Sequence, residues 1–234
     1  MHLEGYANSA MYSPYRGHIE GGLNLVNNAS NYCHIEGVGN TCTNGSEIVH
    51  IEGNNNIASN TSHYSHVEGV GNTATNNGKY VHIEGRSNIA MNTCECSHVE
   101  GYNNTVDGNR ALYTHVGGFD NSVNNPGYAS FIHGENLKTY TTTSENMTIA
   151  LGRYNDPGFT LPKEEETDPD IPQLLMTVGN GTADDARSNA FAVLRSGGIV
   201  LPGDDGFYYS LTVVSGVLTL TKILPPPEPE PEGE

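Results

Sequence analysis

A tetrapeptide of the form His-[Ile/Val/Leu]-Glu-Gly returns every 16 residues, at His2, His18, His34, His50, His66, His82 and His98. Worn copies follow as His115-Val116-Gly117-Gly118, after 17 residues, and His133-Gly134-Glu135, after 18. A unit this short cannot bury its own apolar face. Successive units must therefore stack on one another, and the period selects a solenoid over an ordinary globule.

The repeat is longer than its tetrapeptide. Six residues after each His stands an Asn: Asn8, Asn24, Asn40, Asn56, Asn72, Asn88, Asn104 and, in the first worn copy, Asn121. Two residues further on comes a small side chain: Ala10, Val26, Cys42, Ala58, Ala74, Ala90, Val106 or Val123. The two halves lie about eight residues apart, which predicts a coil of two short strands with a turn after each. Within the His strand, alternation puts Cys33 and Ile35, Val49 and Ile51, or Ser65 and Val67 on one face, which should fill the coil. The residue two before the His, the His and the Glu should share the other face, as in Tyr64-x-His66-x-Glu68 and Tyr80-x-His82-x-Glu84. Gly after the Glu ends the strand. The recurring Asn is expected to stack its amide on the Asn one coil away, as in cross-β ladders.

The expected fold is all-β, a parallel β-roll of 16-residue coils over residues 1–136. Stacked strands repeat at about 4.8 Å, so nine coils make a segment about 40 Å long. Residues 137–203 leave the period and read as a closing segment and a small β shoulder. Within 204–224, two alternating runs flank Ser215-Gly216 and predict a hairpin. The acidic run at 163–172 reads as a solvated loop, and the Pro/Glu-rich residues 225–234 as a tail or linker.

Composition agrees with a turn-rich solenoid. There are 28 Gly and no Trp, and only 16% of residues are charged. Gly and Asn supply the positive φ that tight turns need. A net charge of -17 argues against nucleic acid as a partner. No long apolar run points to membrane insertion, and no leader is apparent at the start. Four Cys are present. Cys33 and Cys42 occupy slots held elsewhere by Val, Ser, Thr or Ala, so small buried thiols are expected. The spacing Cys94-Glu95-Cys96 is too weak a pattern to assign a metal.

The motifs carry a resemblance. Ser65-His66-Val67-Glu68-Gly69-x-x-Asn72-x-Ala74 and Ser97-His98-Val99-Glu100-Gly101-x-x-Asn104 resemble the "SHAEG" repeats of tail and neck-appendage proteins from phages of Gram-positive bacteria. The Gly-turned coils are also similar to the head repeats of YadA-type trimeric autotransporter adhesins. Leu175-Met176-Thr177-Val178-Gly179-Asn180-Gly181-Thr182, followed by Ser188-Asn189-Ala190-Phe191-Ala192-Val193, resembles a unit found at the base of phage fibres beside self-cleaving chaperone domains. The segment 146–155 is similar to the stretch that closes such arrays. The resemblance implies a left-handed, homotrimeric fibre in a virion tail or appendage. Its partners would be other tail or baseplate proteins and a host-surface glycan or protein. An adhesin head on a bacterial surface is the alternative, against which the absent leader and anchor weigh. A self-cleaving fibre protein is a second alternative, for which no nucleophile–base pair can be placed.

The candidate functional residues are thus rows. One row is His18, Glu20, His34, Glu36, His50, Glu52, His66, Glu68, His82, Glu84, His98 and Glu100, read as a hydrogen-bonded ladder at a subunit interface. The second is Asn24, Asn40, Asn56, Asn72, Asn88 and Asn104. Tyr32, Tyr64, Tyr80 and Tyr113 could stack on sugar rings, although packing between subunits is favoured for them. Identical copies form no single constellation, so no catalytic residue, metal ligand or cofactor is expected.

Overall fold

The computed structural model describes residues 1–11, 16–28, 31–60, 62–92, 94–108, 111–124, 129–140, 147–156, 174–194, 197–204 and 207–223. The acidic run at 163–172 and the tail at 225–234 lie outside the described residues. All regular structure is β. Two sheets of in-register parallel strands face each other, one strand of each per coil. The sheet of second strands has nine, from Ser9–Ala10 to Lys138–Tyr140. The sheet of His strands starts at His2–Leu3 and extends to 15 strands by including the C-terminal elements. Among the described residues, no helix is long and apolar enough to cross a membrane.

Register follows the repeat. His34 pairs with His50, Ile35 with Ile51, Glu36 with Glu52 and Gly37 with Gly53. The expected inward face is the core: Ile19, Ile35, Ile51, Val67, Ile83, Val99, Val116 and Ile132 are fully buried. They meet Val26, Cys42, Ala58, Ala74, Ala90, Val106 and Val123 from the opposite sheet, buried as deeply. One Ile or Val against one small residue per coil contributes about 1.5–3 kcal/mol for the larger side chain. A single coil could not offset its own ordering on that contribution, so stability is a property of the stack.

The corner after each His strand is the tightest part of the coil. Gly37, Gly53 and Gly69 have φ of 108°, 107° and 109°, a region open to glycine and strained for other residues. Each also presses on the next coil: a Cβ on Gly53 would overlap the carbonyl of Gly69. That carbonyl is held by Asn56, whose Nδ2 donates to Gly69 O at 2.8 Å and to Glu52 O at 2.7 Å. The backbone N–H of Asn72 donates to Asn56 Oδ1 at 2.9 Å. The Asn row is therefore a bracket from side chain to backbone. The expected amide-on-amide stacking is secondary in this row, whose described members form Nδ2-to-Oδ1 bonds only at Asn104 and Asn121. The ladder Asn residues from Asn24 to Asn121 are 0–1% exposed.

Register is recovered after an irregular repeat. Met91 pairs with Asp107, 16 residues on, whereas Glu95 bridges Leu112, 17 on. The extra residue thus sits between those positions and leaves the strands in register. The second worn copy is corrected by the pairing. Phe131, not His133, pairs with His115, and His133 pairs with Gly117 in the Glu column. Leu137 takes the Asn slot there, fully buried, and Asn155 returns to the slot one coil later.

The cysteine expectation is half corrected. Cys33 and Cys42 are buried as expected, but they are linked as a disulfide across the coil interior. Two slots on facing strands of one coil bring them together, with Cα atoms 7.0 Å apart. Cys94 and Cys96 are free.

Parallel pairing continues beyond residue 136, through Ile149–Arg153 and on to Leu174–Asn180. There the chain reverses. Leu174–Asn180, Asn189–Leu194, Ile199–Pro202, Tyr208–Val214 and Val217–Ile223 pair antiparallel in sequence. Arg187 fastens this shoulder to the roll, donating to the carbonyls of Asn136 at 2.7 Å and Asn155 at 3.1 Å. Asp184 accepts from Lys138 and Arg187, which hold its carboxyl down at about 2. The predicted hairpin turns at Ser215 and Gly216, with φ of 51° and 79°, the signature of a two-residue primed turn.

The Asn bracket has a measurable weight. Asn56→Ala would remove one donor from each of two partly buried carbonyls, Glu52 O and Gly69 O, and the acceptor of the Asn72 N–H, and is expected to lower unfolding stability by about 1–3 kcal/mol. Asn76→Gly, in an exposed left-handed corner that glycine adopts freely, is expected to change it by less than about 1 kcal/mol. Chemical denaturation of both variants checks the difference.

Candidate functional site

The His column is the longest run of identical side chains on the outer face. Rings from His34 to His98 stack at 4.7–4.8 Å with interplanar angles of 4–11°. The spacing is that of the strands, so the stack follows from register. It is a column of stacked rings more than the expected hydrogen-bonded ladder. The Nε2 atoms of His18, His34, His50, His66 and His98 are enclosed by neighbours and have no hydrogen-bond partner. His34 Nε2 approaches Glu36 Oε1 to 3.0 Å without the alignment of a hydrogen bond. His66 and Glu68 stand 3.8 Å apart, and His98 and Glu100 4.0 Å. The carboxylates of Glu20, Glu52 and Glu84 belong to exposed residues.

His66, in the middle of the stack, resists charging. The pKa of His66 is lowered from 6.5, first by burial, then by His50 and His82, with Glu68 and Glu52 acting in the opposite sense. The folded value lies below the unfolded one. As pH falls through the unfolded value, the unfolded chain takes up the proton first, and stability declines until the folded group also titrates.

The tyrosines are not where alternation places them. Tyr32, Tyr64, Tyr80 and Tyr113 have φ of 54–56°, so they occupy left-handed corners ahead of the His strand. They do not continue its outer face. A left-handed residue turns the chain through the corner, and counting by twos from the His fails there. Ile48 and Cys96 fill the same slot with φ of 55° and 54°. These Tyr are 50–63% exposed, and Tyr64 stacks on Tyr80 at 4.8 Å. The column that follows the Glu-Gly pair is also apolar in places: Val38, Val70, Tyr102 and Phe119 are 39–46% exposed. Tyr102 stacks on Phe119 at 5.2 Å, with Arg86 over its ring at 5.7 Å.

A second Asn row went unrecognised in the sequence. Asn28, Asn44, Asn60, Asn76 and Asn92 sit in exposed or partly exposed left-handed corners and donate in turn, each Nδ2 to the next Oδ1 at 2.7–3.2 Å. Asn92 ends the row on Asp107 at 2.6 Å. The 16-residue spacing of these Asn was legible, but lay in the variable half of the unit.

Comparison with family models, with curated proteins and with solved structures gives no match.

Two outcomes follow from the titrating groups. The melting temperature is expected to fall between about pH 7 and pH 5, and less steeply in His66→Gln, as a pH series of thermal melts would show. Burial pushes the Cys94 thiol up to about 12, and its Sγ donates to Met91 O at 2.9 Å. Cys96 is exposed. Brief alkylation of the folded chain is therefore expected to modify Cys96 and spare Cys94 in a peptide mass map.

Proposed function

We propose that the chain is a structural segment of a homotrimeric fibre, a phage tail or neck appendage, that spaces and presents other parts of the virion. The observation that carries association is the apolar surface one chain leaves open. In the terminal hairpin Val213, Val214, Val217, Leu218 and Leu220 are 57–68% exposed. Pairing puts Val213, Leu218 and Leu220 on one face and Val214 and Val217 on the other, and exposed apolar side chains grouped in this way mark a contact with another chain. The tyrosine corners and the Val38, Val70, Tyr102 and Phe119 column extend such surface along the roll. The phage assignment rests on the likeness of the repeats to "SHAEG" units. A threefold arrangement is one closed solution in which every chain covers its neighbour in the same way.

A mechanical role suits the roll. Its coils repeat one set of contacts and differ little in chemistry, which makes a stiff spacer and a poor active site. The tyrosine corners remain available for a host glycan wherever a neighbouring chain does not cover them.

Light scattering of the intact chain is expected to give about three times the 25.1 kDa chain mass, and intact mass spectrometry a single uncleaved product. The double variant Val217→Asp, Leu218→Asp is expected to lower the assembly mass. A clean monomer for the unaltered chain would overturn the fibre reading and leave the tyrosine corners open to solvent.

A further inference from the structure

The ring stack breaks at one place inside the roll. His98 and His115 meet at 61°, and His115 and Phe131 at 43°, whereas the His pairs from His18 to His98 are within 12° of parallel. The cause lies in the sequence. Gly117 stands in the column that holds Glu in earlier coils, and His133 follows it. Two neighbouring side chains move into the space that the missing carboxylate leaves. A Cβ placed on Gly117 would lie 2.7 Å from His133 Nδ1 and 3.0 Å from Glu100 Oε1. His115 Nε2 is 3.3 Å from Glu100 Oε1. Three coils thus deliver one donor each to a single point, and the donor atoms of Glu100, His115 and His133 all lie within 4.8 Å of one another.

We propose that Glu100, His115 and His133 bind one divalent transition-metal ion of the zinc class. The donor set is two imidazoles and a carboxylate, which suits zinc or a similar borderline ion; calcium and magnesium favour all-oxygen sites. Donors on one zinc ion are separated by about 3–3.5 Å, given bonds of about 2.0–2.2 Å. Small rotations of side chains that border an unfilled slot reach that separation. The fourth position is left to water or to a group from a neighbouring chain.

The regular ladder does not offer the same site. His82, Glu84 and His98 also lie within 4.8 Å, but the rings of His82 and His98 are parallel to within 4°. Nitrogen lone pairs lie in the ring plane, so parallel rings cannot both aim at one ion. His2, Glu4 and His18 are grouped as closely, at the exposed end of the roll and without a vacated slot. An ion at Glu100, His115 and His133 would clip together three coils at the point where both the His stack and the Asn bracket lapse.

Metal-stripped full-length chain titrated with Zn2+ by calorimetry is expected to bind one ion per chain, with a rise in melting temperature. Co2+ at the same site is expected to give the visible absorption of a four-coordinate ion. His133→Ala and Glu100→Gln, which alter partly exposed side chains, are each expected to weaken binding at least tenfold, while Glu84→Gln leaves it unchanged. Absence of binding, unchanged affinity in His133→Ala and Glu100→Gln, or an equal loss in Glu84→Gln would overturn the proposal. The site uses one chain only, so a monomeric protein that binds one ion would overturn the trimer and leave this inference standing.

Discussion

The structure depends on the carbonyl of the corner glycine. In each regular coil it points along the roll axis at its neighbour, and it is used twice. Gly101 O accepts from the backbone N–H of Arg86 and from Asn88 Nδ2, each at 2.9 Å. Both lone pairs are thereby filled. A side chain on the preceding glycine, Gly85, would overlap that oxygen. Glycine is thus required for space as much as for φ. The Asn amide is required because the backbone supplies that oxygen with one donor and leaves the second to the side chain. These two residues set the separation of coils, and the separation sets everything stacked outside them.

The outer columns are consequences of that spacing. Imidazoles 4.7 Å apart, tyrosines in left-handed corners and the exposed Asn row are all held by backbone register. Their chemistry is collective. His66 is penalised on protonation by burial and by the rings of His50 and His82 on either side, the same neighbours that its ring gains dispersion from. A stack is indifferent to any one of its members, and most sensitive where its rule changes, at Gly117, Phe131 and Leu137.

How far the sequence could be read follows from that. Period, strand pairing, the inward Ile and Val, and the hairpin turn at Ser215-Gly216 were all legible, because they depend on local alternation and exact repetition. The tyrosines were misplaced because one left-handed residue resets the alternation. His133 was placed in the wrong column because an 18-residue gap in sequence is a 16-residue step to Phe131 in register. The Cys33–Cys42 link escaped notice because facing slots within one coil are nine residues apart, a spacing that carries no recognised pattern. In each case the missing information was how a corner turns, which depends on contacts with the coils on either side.

In-register stacking has one more consequence. A coil contacts only the coil before it and the coil after it, and every regular coil offers both the same surface. Gain or loss of one 16-residue unit by recombination would leave all remaining junctions intact and shift the far end by one strand spacing, about 4.8 Å. Length in such a molecule is a whole-number quantity that a lineage can adjust step by step, like links in a chain. The one-residue insertion between Met91's partner Asp107 and Leu112 shows the other tolerance. The slack does not reach the next rung, which pairs in register.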